Sequence, residues 1–137
     1  YNGRSSHAWK DAELPCAKAV GQVELLKANH HGVTNTNQVD ALKALNPQTI
    51  VVNSWVDCHP RTDILNSMET TLPACDMFIT NFWQGDRPSG VDDRVKGYDG
   101  HIVVRVTDGG NKYRVVTITD SDGAMTVKTI SGPYTSR

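Results

Sequence analysis

Val23-Glu24-Leu25-Leu26-Lys27-Ala28-Asn29-His30-His31-Gly32 decides the architecture, because it runs an apolar strand candidate straight into two histidines and a glycine. The pattern returns downstream. Ile50, Val51, Val52 and Trp55 lead into Cys58-His59-Pro60. Parallel strands of an α/β sheet deliver their following loops to one rim, where ligands and chemistry usually sit. Two histidine loops after successive strands therefore point to half of a metal or phosphate site on that rim. The competing reading is that a doubled histidine in a loop simply faces water.

Working outward, helix and strand signals alternate. Pro15 suits the first turn of a short helix with Cys16, Ala19 and Val20 on one face, and Gly21 is placed to end it. A strand over residues 23 to 28 follows. Asn35 with Gln38 three residues later resembles a capping box, and Val39, Leu42 and Leu45 carry the helical period up to Pro47. The next strand covers about residues 49 to 55. Pro60 opens a third helix, in which Ile64, Leu65, Met68 and Leu72 recur at helical spacing before Pro73. A strand from about Asp76 to Thr80 completes a β-α-β-α-β run, which predicts a parallel sheet with right-handed crossovers.

Residues 81 to 99 carry glycine, proline and charge with weak periodicity, a long connection that is either functional or holds a short helix. An antiparallel meander is predicted beyond it. Ile102, Val104 and Val106 alternate, as do Tyr113, Val115, Thr117 and Thr119, and Met125 to Ile130 closes. Asp120-Ser121-Asp122-Gly123 lacks the distal glutamate and remaining ligands of a calcium loop and reads as a turn. The fold class is thus α/β, one layer of parallel strands and helices followed by a meander.

Composition narrows the function. With 137 residues the chain suffices for one domain with a real core, and its net charge of −1 lacks the basic footprint of non-specific nucleic-acid binding. Its apolar runs are too short to cross a bilayer, and Tyr1-Asn2-Gly3-Arg4 has no apolar signal-peptide core. With no initiator methionine, the chain is expected to be a piece of a longer protein. Cys16, Cys58 and Cys75 have no zinc-type pair spacing, and their odd number leaves at least one thiol unpaired in a monomer, so the compartment stays open.

Taken in order, four segments carry a resemblance. They are the Val23 to Gly32 stretch, Asn46-Pro47 before a strand, His59-Pro60 opening a helix, and Tyr98-Asp99-Gly100-His101-Ile102 opening another strand. The series resembles the C-terminal half of metallo-β-lactamase-fold hydrolases over about residues 20 to 105. The nearest branch is that of DNA-uptake competence proteins and phosphorylcholine esterases, where one strand ends in His-His-Gly and a later one in Gly-His-Pro. Cys58 stands where the second motif has glycine, which leaves its histidine and proline intact.

The resemblance implies that residues 1 to 137 form a single domain, half of an αββα sandwich. Its parent would hydrolyse a phosphoester or related ester with metal-bound hydroxide. It implies zinc or another divalent metal in the intact parent, and none held tightly by this piece. His59 is similar in position to the last ligand of a two-metal centre. His30 and His31 resemble the pair that holds a phosphate and gives a proton to the leaving group. The alternative assignment has His31 on the metal and His59 supporting it.

The chain departs from the family by lacking the His-x-His-x-Asp-His segment, since its only histidines are His7, His30, His31, His59 and His101. His7 and His101 have no motif support. A catalytic zinc takes three protein groups plus water, so the isolated chain is expected to be inactive. The implied partner is the missing N-terminal half. Without it, one sheet face is expected either to drive self-association or to be covered by the meander of residues 101 to 131. A reading from another class is a non-catalytic ligand-binding module with Trp55, Phe82, Trp83 and Tyr98 as its platform. An upstream His-x-His-x-Asp-His segment would favour the hydrolase.

Overall fold

Pro15 and Gly21 bracket the first helix as expected. Helix α1 spans Glu13–Val20, and Gly21, at φ 73°, ends it by donating its N–H to the Ala17 carbonyl at 2.9 Å. The computed structural model describes residues 11 to 82, 93 to 119, 121 and 123 to 137. His7, Trp83, Asp120 and Asp122 lie outside the described residues.

The chain then alternates through β1 (Leu25–Lys27), α2 (Val39–Leu45), β2 (Thr49–Val52), α3 (Thr62–Thr71), β3 (Asp76–Ile79) and β4 (Val95–Tyr98). These strands form one parallel sheet in the order β1-β2-β3-β4. A separate antiparallel sheet follows in the order β5-β6-β7, from His101–Val106, Lys112–Thr119 and Thr126–Thr135. The α/β class and the meander are as the periodicity indicated.

Adjacent apolar residues in β2 and β3 point to opposite faces, and each face has its own cover. Ile50, Val52, Met77 and Ile79 pack with Leu42 of α2 and with Leu65 and Met68 of α3. Val51 and Phe78 face the other way and pack with Tyr113 and Val115 of β6, flanked by Leu25, Ile102 and Tyr134. The meander therefore covers the sheet face for which either self-association or intramolecular cover was expected. Its own outer side stays open, with Val103 42% and Ile130 60% exposed on the face shared with Val116.

Three local readings are corrected. Residues 95 to 98 form β4 inside the stretch expected to be a connection, because Val95-Lys96-Gly97-Tyr98 has too few β-branched residues to announce a strand. Gly97 is needed there, since a Cβ would lie 2.1 Å from Thr117 Oγ1, where the meander crosses β4. The Asn35 capping box does not form. Asn35 takes a left-handed φ of 66°, α2 begins after Gln38, and Glu13 of α1 accepts the Asn37 and Gln38 N–H groups instead, at 2.7 and 3.0 Å. In α1 only Ala17 is buried, while Cys16 and Val20 are exposed.

Polar ties fasten the meander to the N-terminal end of the parallel strands. The Tyr113 hydroxyl donates to the Glu24 carbonyl at 2.9 Å, and the Tyr134 hydroxyl donates to Asp76 Oδ2 at 2.7 Å. Burial first, and then this carboxylate bond, pushes the Tyr134 hydroxyl pKa up. The Arg137 N–H donates to Glu24 Oε1 at 2.6 Å, and its guanidinium reaches the Val23 and Asn46 carbonyls at 3.0 and 2.6 Å. With these anchors at one end, the opposite rim is left to the loops that follow the strands.

The backbone N–H of Arg137 is the largest influence holding the Glu24 carboxyl below its ordinary value of 4.5; partial burial opposes it, and Gln48 and the Arg137 side chain add to the lowering. A depressed folded-state pKa gives stability that is present above the ordinary value and lost as pH falls through the folded one. The thermal midpoint of the wild-type chain is therefore expected to fall more steeply between about pH 5 and about pH 3 than that of Glu24→Gln. Parallel pH curves from differential scanning calorimetry would contradict this.

Candidate functional site

The end of β1 turns at once into a tight 3-10 turn, Asn29–Gly32, in which three successive residues are left-handed: His30 at φ 46°, His31 at φ 58° and Gly32 at φ 73°. Residues with a Cβ pay roughly 1–2 kcal/mol each in this region, so the two histidines are held there by their surroundings. Gly32 presses on the second histidine loop. A Cβ on it would lie 2.8 Å from Pro60 Cβ, and its carbonyl accepts the Arg61 N–H at 3.0 Å. This contact ties the loop after β1 to the loop after β2.

The result is a pair of stacked imidazoles. The His31 and His59 ring centroids are 5.4 Å apart with 6° between their planes. His31 Nδ1 is hydrogen-bonded to the Asn53 carbonyl oxygen. A carbonyl can only accept, so His31 donates from Nδ1, and in the neutral ring Nε2 is the nitrogen that carries the lone pair. His59 Nδ1 is buried and has no hydrogen-bond partner. A buried polar atom in that state calls for a group that completes it.

Asn53 is aimed at His31 by the joined ends of β2 and β3. The Ser54 N–H donates to Thr80 Oγ1 at 2.8 Å, Thr80 Oγ1 donates to the Ser54 carbonyl at 2.7 Å, and the Asn81 N–H donates to Ser54 Oγ at 3.2 Å. Farther along the rim, the Phe82 N–H donates to Asp99 Oδ1 at 2.7 Å. Asn53, Ser54 and Thr80 were not singled out from the sequence. Their one signal is position, as the first polar residues after β2 and β3.

The structure separates the three central histidines. His31 stands against His59, whereas His30, 6.2 Å from His31 at a 52° tilt, lines a cavity of about 760 Å³ between α1 and β1. His101 is exposed at the start of β5. Among the aromatic residues considered as a platform, Phe82 belongs to the core, and Tyr98 meets it edge-on while Lys128 lies over the Tyr98 ring at 4.5 Å. Trp55, 71% exposed in the loop between Asn53 and His59, stands open to solvent. Among the described residues, no group of three or more His, Cys, Asp or Glu side chains could hold a metal ion. Cys75 is buried, and desolvation pushes its thiol up to about 12, which keeps it protonated and unreactive.

Comparison with known proteins finds no family model, no curated protein and no solved structure that matches this chain.

Gly32→Ala adds a Cβ where both the φ angle and Pro60 oppose it, so it is expected to destabilise the chain by about 1–3 kcal/mol and to part the two loops. Nuclear Overhauser effects between the His31 and His59 ring protons report the separation. Retention of those contacts in a variant of wild-type stability would contradict the geometry argued for Gly32.

Proposed function

We propose that this chain supplies part of the active site of a metal-dependent hydrolase acting on a phosphoester or a related ester, similar to the C-terminal half of metallo-β-lactamase-fold enzymes. The observation that carries the reading is the His31–His59 pair on the rim of a parallel sheet, with His31 held by the Asn53 carbonyl through Nδ1, which leaves Nε2 as the nitrogen available to a metal. A metal-bound imidazole characteristically donates its other N–H to a carbonyl or carboxylate, which fixes both the tautomer and the ring plane. His31 has that backing.

A catalytic zinc takes three protein groups plus water, so the ligands besides a histidine of this pair would come from residues beyond it. The sequence motif makes His59 the metal candidate and gives His30 or His31 the phosphate and the proton. The hydrogen bond to Asn53 favours the exchanged assignment, with His31 on the metal and His59 beside it. His30, whose ring is directed elsewhere, remains a candidate for contacting substrate through the loop's outer side. A bound divalent ion would activate water and polarise the ester phosphorus or carbon. The chain's own part is to present His31 Nε2 and hold the rings parallel, and a protonated histidine at this rim would release the leaving group.

The test uses the full-length protein with zinc and bis(4-nitrophenyl) phosphate. His31→Ala and His59→Ala are each expected to lower turnover by about 100-fold or more, and His31→Ala is expected to lose bound zinc as well. Zinc lost only in His59→Ala would restore the assignment read from the motif. Wild-type turnover in both variants would overturn the hydrolase reading.

A further inference from the structure

The two ends of the strained histidine turn are closed by side chains whose bonds converge on it. Asn37, 3% exposed, pairs with the backbone of Asn29 as a strand neighbour would. Its Oδ1 accepts the Asn29 N–H at 2.9 Å, and its Nδ2 donates to the Asn29 carbonyl at 3.0 Å and to Thr36 Oγ1 at 2.9 Å. Thr36 Oγ1 in turn donates to the Val33 carbonyl at 2.8 Å. From helix α1, the Glu13 carboxylate accepts the Asn29 side-chain amide at 2.7 Å, the Asn37 N–H at 2.7 Å and the Gln38 N–H at 3.0 Å. Residues 29 and 37, the two ends of the loop that carries His30 and His31, are thus joined to each other and to one carboxylate.

We infer that Glu13 and Asn37 are positioning residues for the histidine pair, acting through the Asn29–Asn37 closure to keep His31 stacked on His59 and bonded to Asn53. The geometry of the turn requires such a device. Two side chains with a Cβ sit consecutively in the left-handed region, and nothing intrinsic to His30 or His31 keeps them there. A carboxylate accepting three N–H groups is a strong fixed point, because charge-assisted bonds are about twice as strong as neutral ones. Both residues lie outside the histidine motif, Glu13 on a different helix, so the site would extend into α1. This role rests on the reading that His31 acts at the site, while the closure itself is independent of that reading.

The test is side-chain nuclear magnetic resonance on the full chain. In the wild type, long-range nitrogen correlations are expected to show His31 as the Nδ1–H tautomer, with ring contacts to His59. Glu13→Gln leaves one N–H donor facing an amide donor, and Asn37→Ala removes the pairing with Asn29. Both variants are expected to lose the His31 tautomer signature and the His31–His59 ring contacts, with the amide spectrum of β2, β3 and α3 unchanged. Asn37→Asp, which keeps the acceptor and drops the donors, is expected to retain part of the signal. An unaltered His31 signature in Glu13→Gln and Asn37→Ala would overturn the proposal. So would unfolding of all three variants, which would make these residues supports of the whole domain rather than of the loop. Because the readout is independent of turnover, a full-length protein without hydrolase activity would remove the functional reading and leave this result standing.

Discussion

The close approach of Gly32 to Pro60 is the constraint on which the site depends. Strands β1 and β2 are parallel neighbours, so their loops leave on the same side, but adjacency of strands does not by itself bring two side chains together. The missing Cβ of Gly32 lets one loop lie on the proline of the other, and the bond from the Arg61 N–H to the Gly32 carbonyl fixes their register. His31 and His59, the residues immediately before Gly32 and Pro60, are stacked as a consequence.

The rest of the fold supports that contact from a distance. Helices cover one face of the parallel sheet and the meander covers the other, so β2 and β3 are packed on both faces where they deliver Asn53, Ser54 and Thr80 to the rim. The polar anchors of the meander, Tyr113, Tyr134 and Arg137, all engage the opposite end of the strands. The meander's polar anchors and the histidine loops thereby occupy opposite ends of one sheet, and in open α/β folds the loop end is where ligands usually sit.

Much of this was legible in the residues. The alternation of short apolar runs with helical periods marked three of the parallel strands and the three α-helices among the described residues, and Pro15, Gly21, Pro47 and Pro73 marked the helix boundaries. What escaped was decided by contacts distant in sequence. Strand β4 owes its place to pairing with β3 and to the space Gly97 leaves for Thr117, neither of which local propensity records. Asn35 and Gln38 had the spacing of a capping box, but the carboxylate before α2 is that of Glu13, more than twenty residues earlier, and it accepts the Asn37 and Gln38 N–H groups. For the candidate site, the strand-then-histidine pattern picked out two loops that the fold brings together and left His30 and His31 equivalent. Only their left-handed backbone, which turns one ring toward His59 and the other toward α1, distinguishes them.

The most direct test of the account is anomalous diffraction at the zinc edge from crystals of the full-length protein grown with zinc. A peak about 2.0–2.1 Å from a ring nitrogen of His31 or His59 is the result expected of an imidazole-bound ion. Zinc bound only at a distance from both rings, with the pair stacked and open to solvent, would contradict the claim that this rim carries the chemistry.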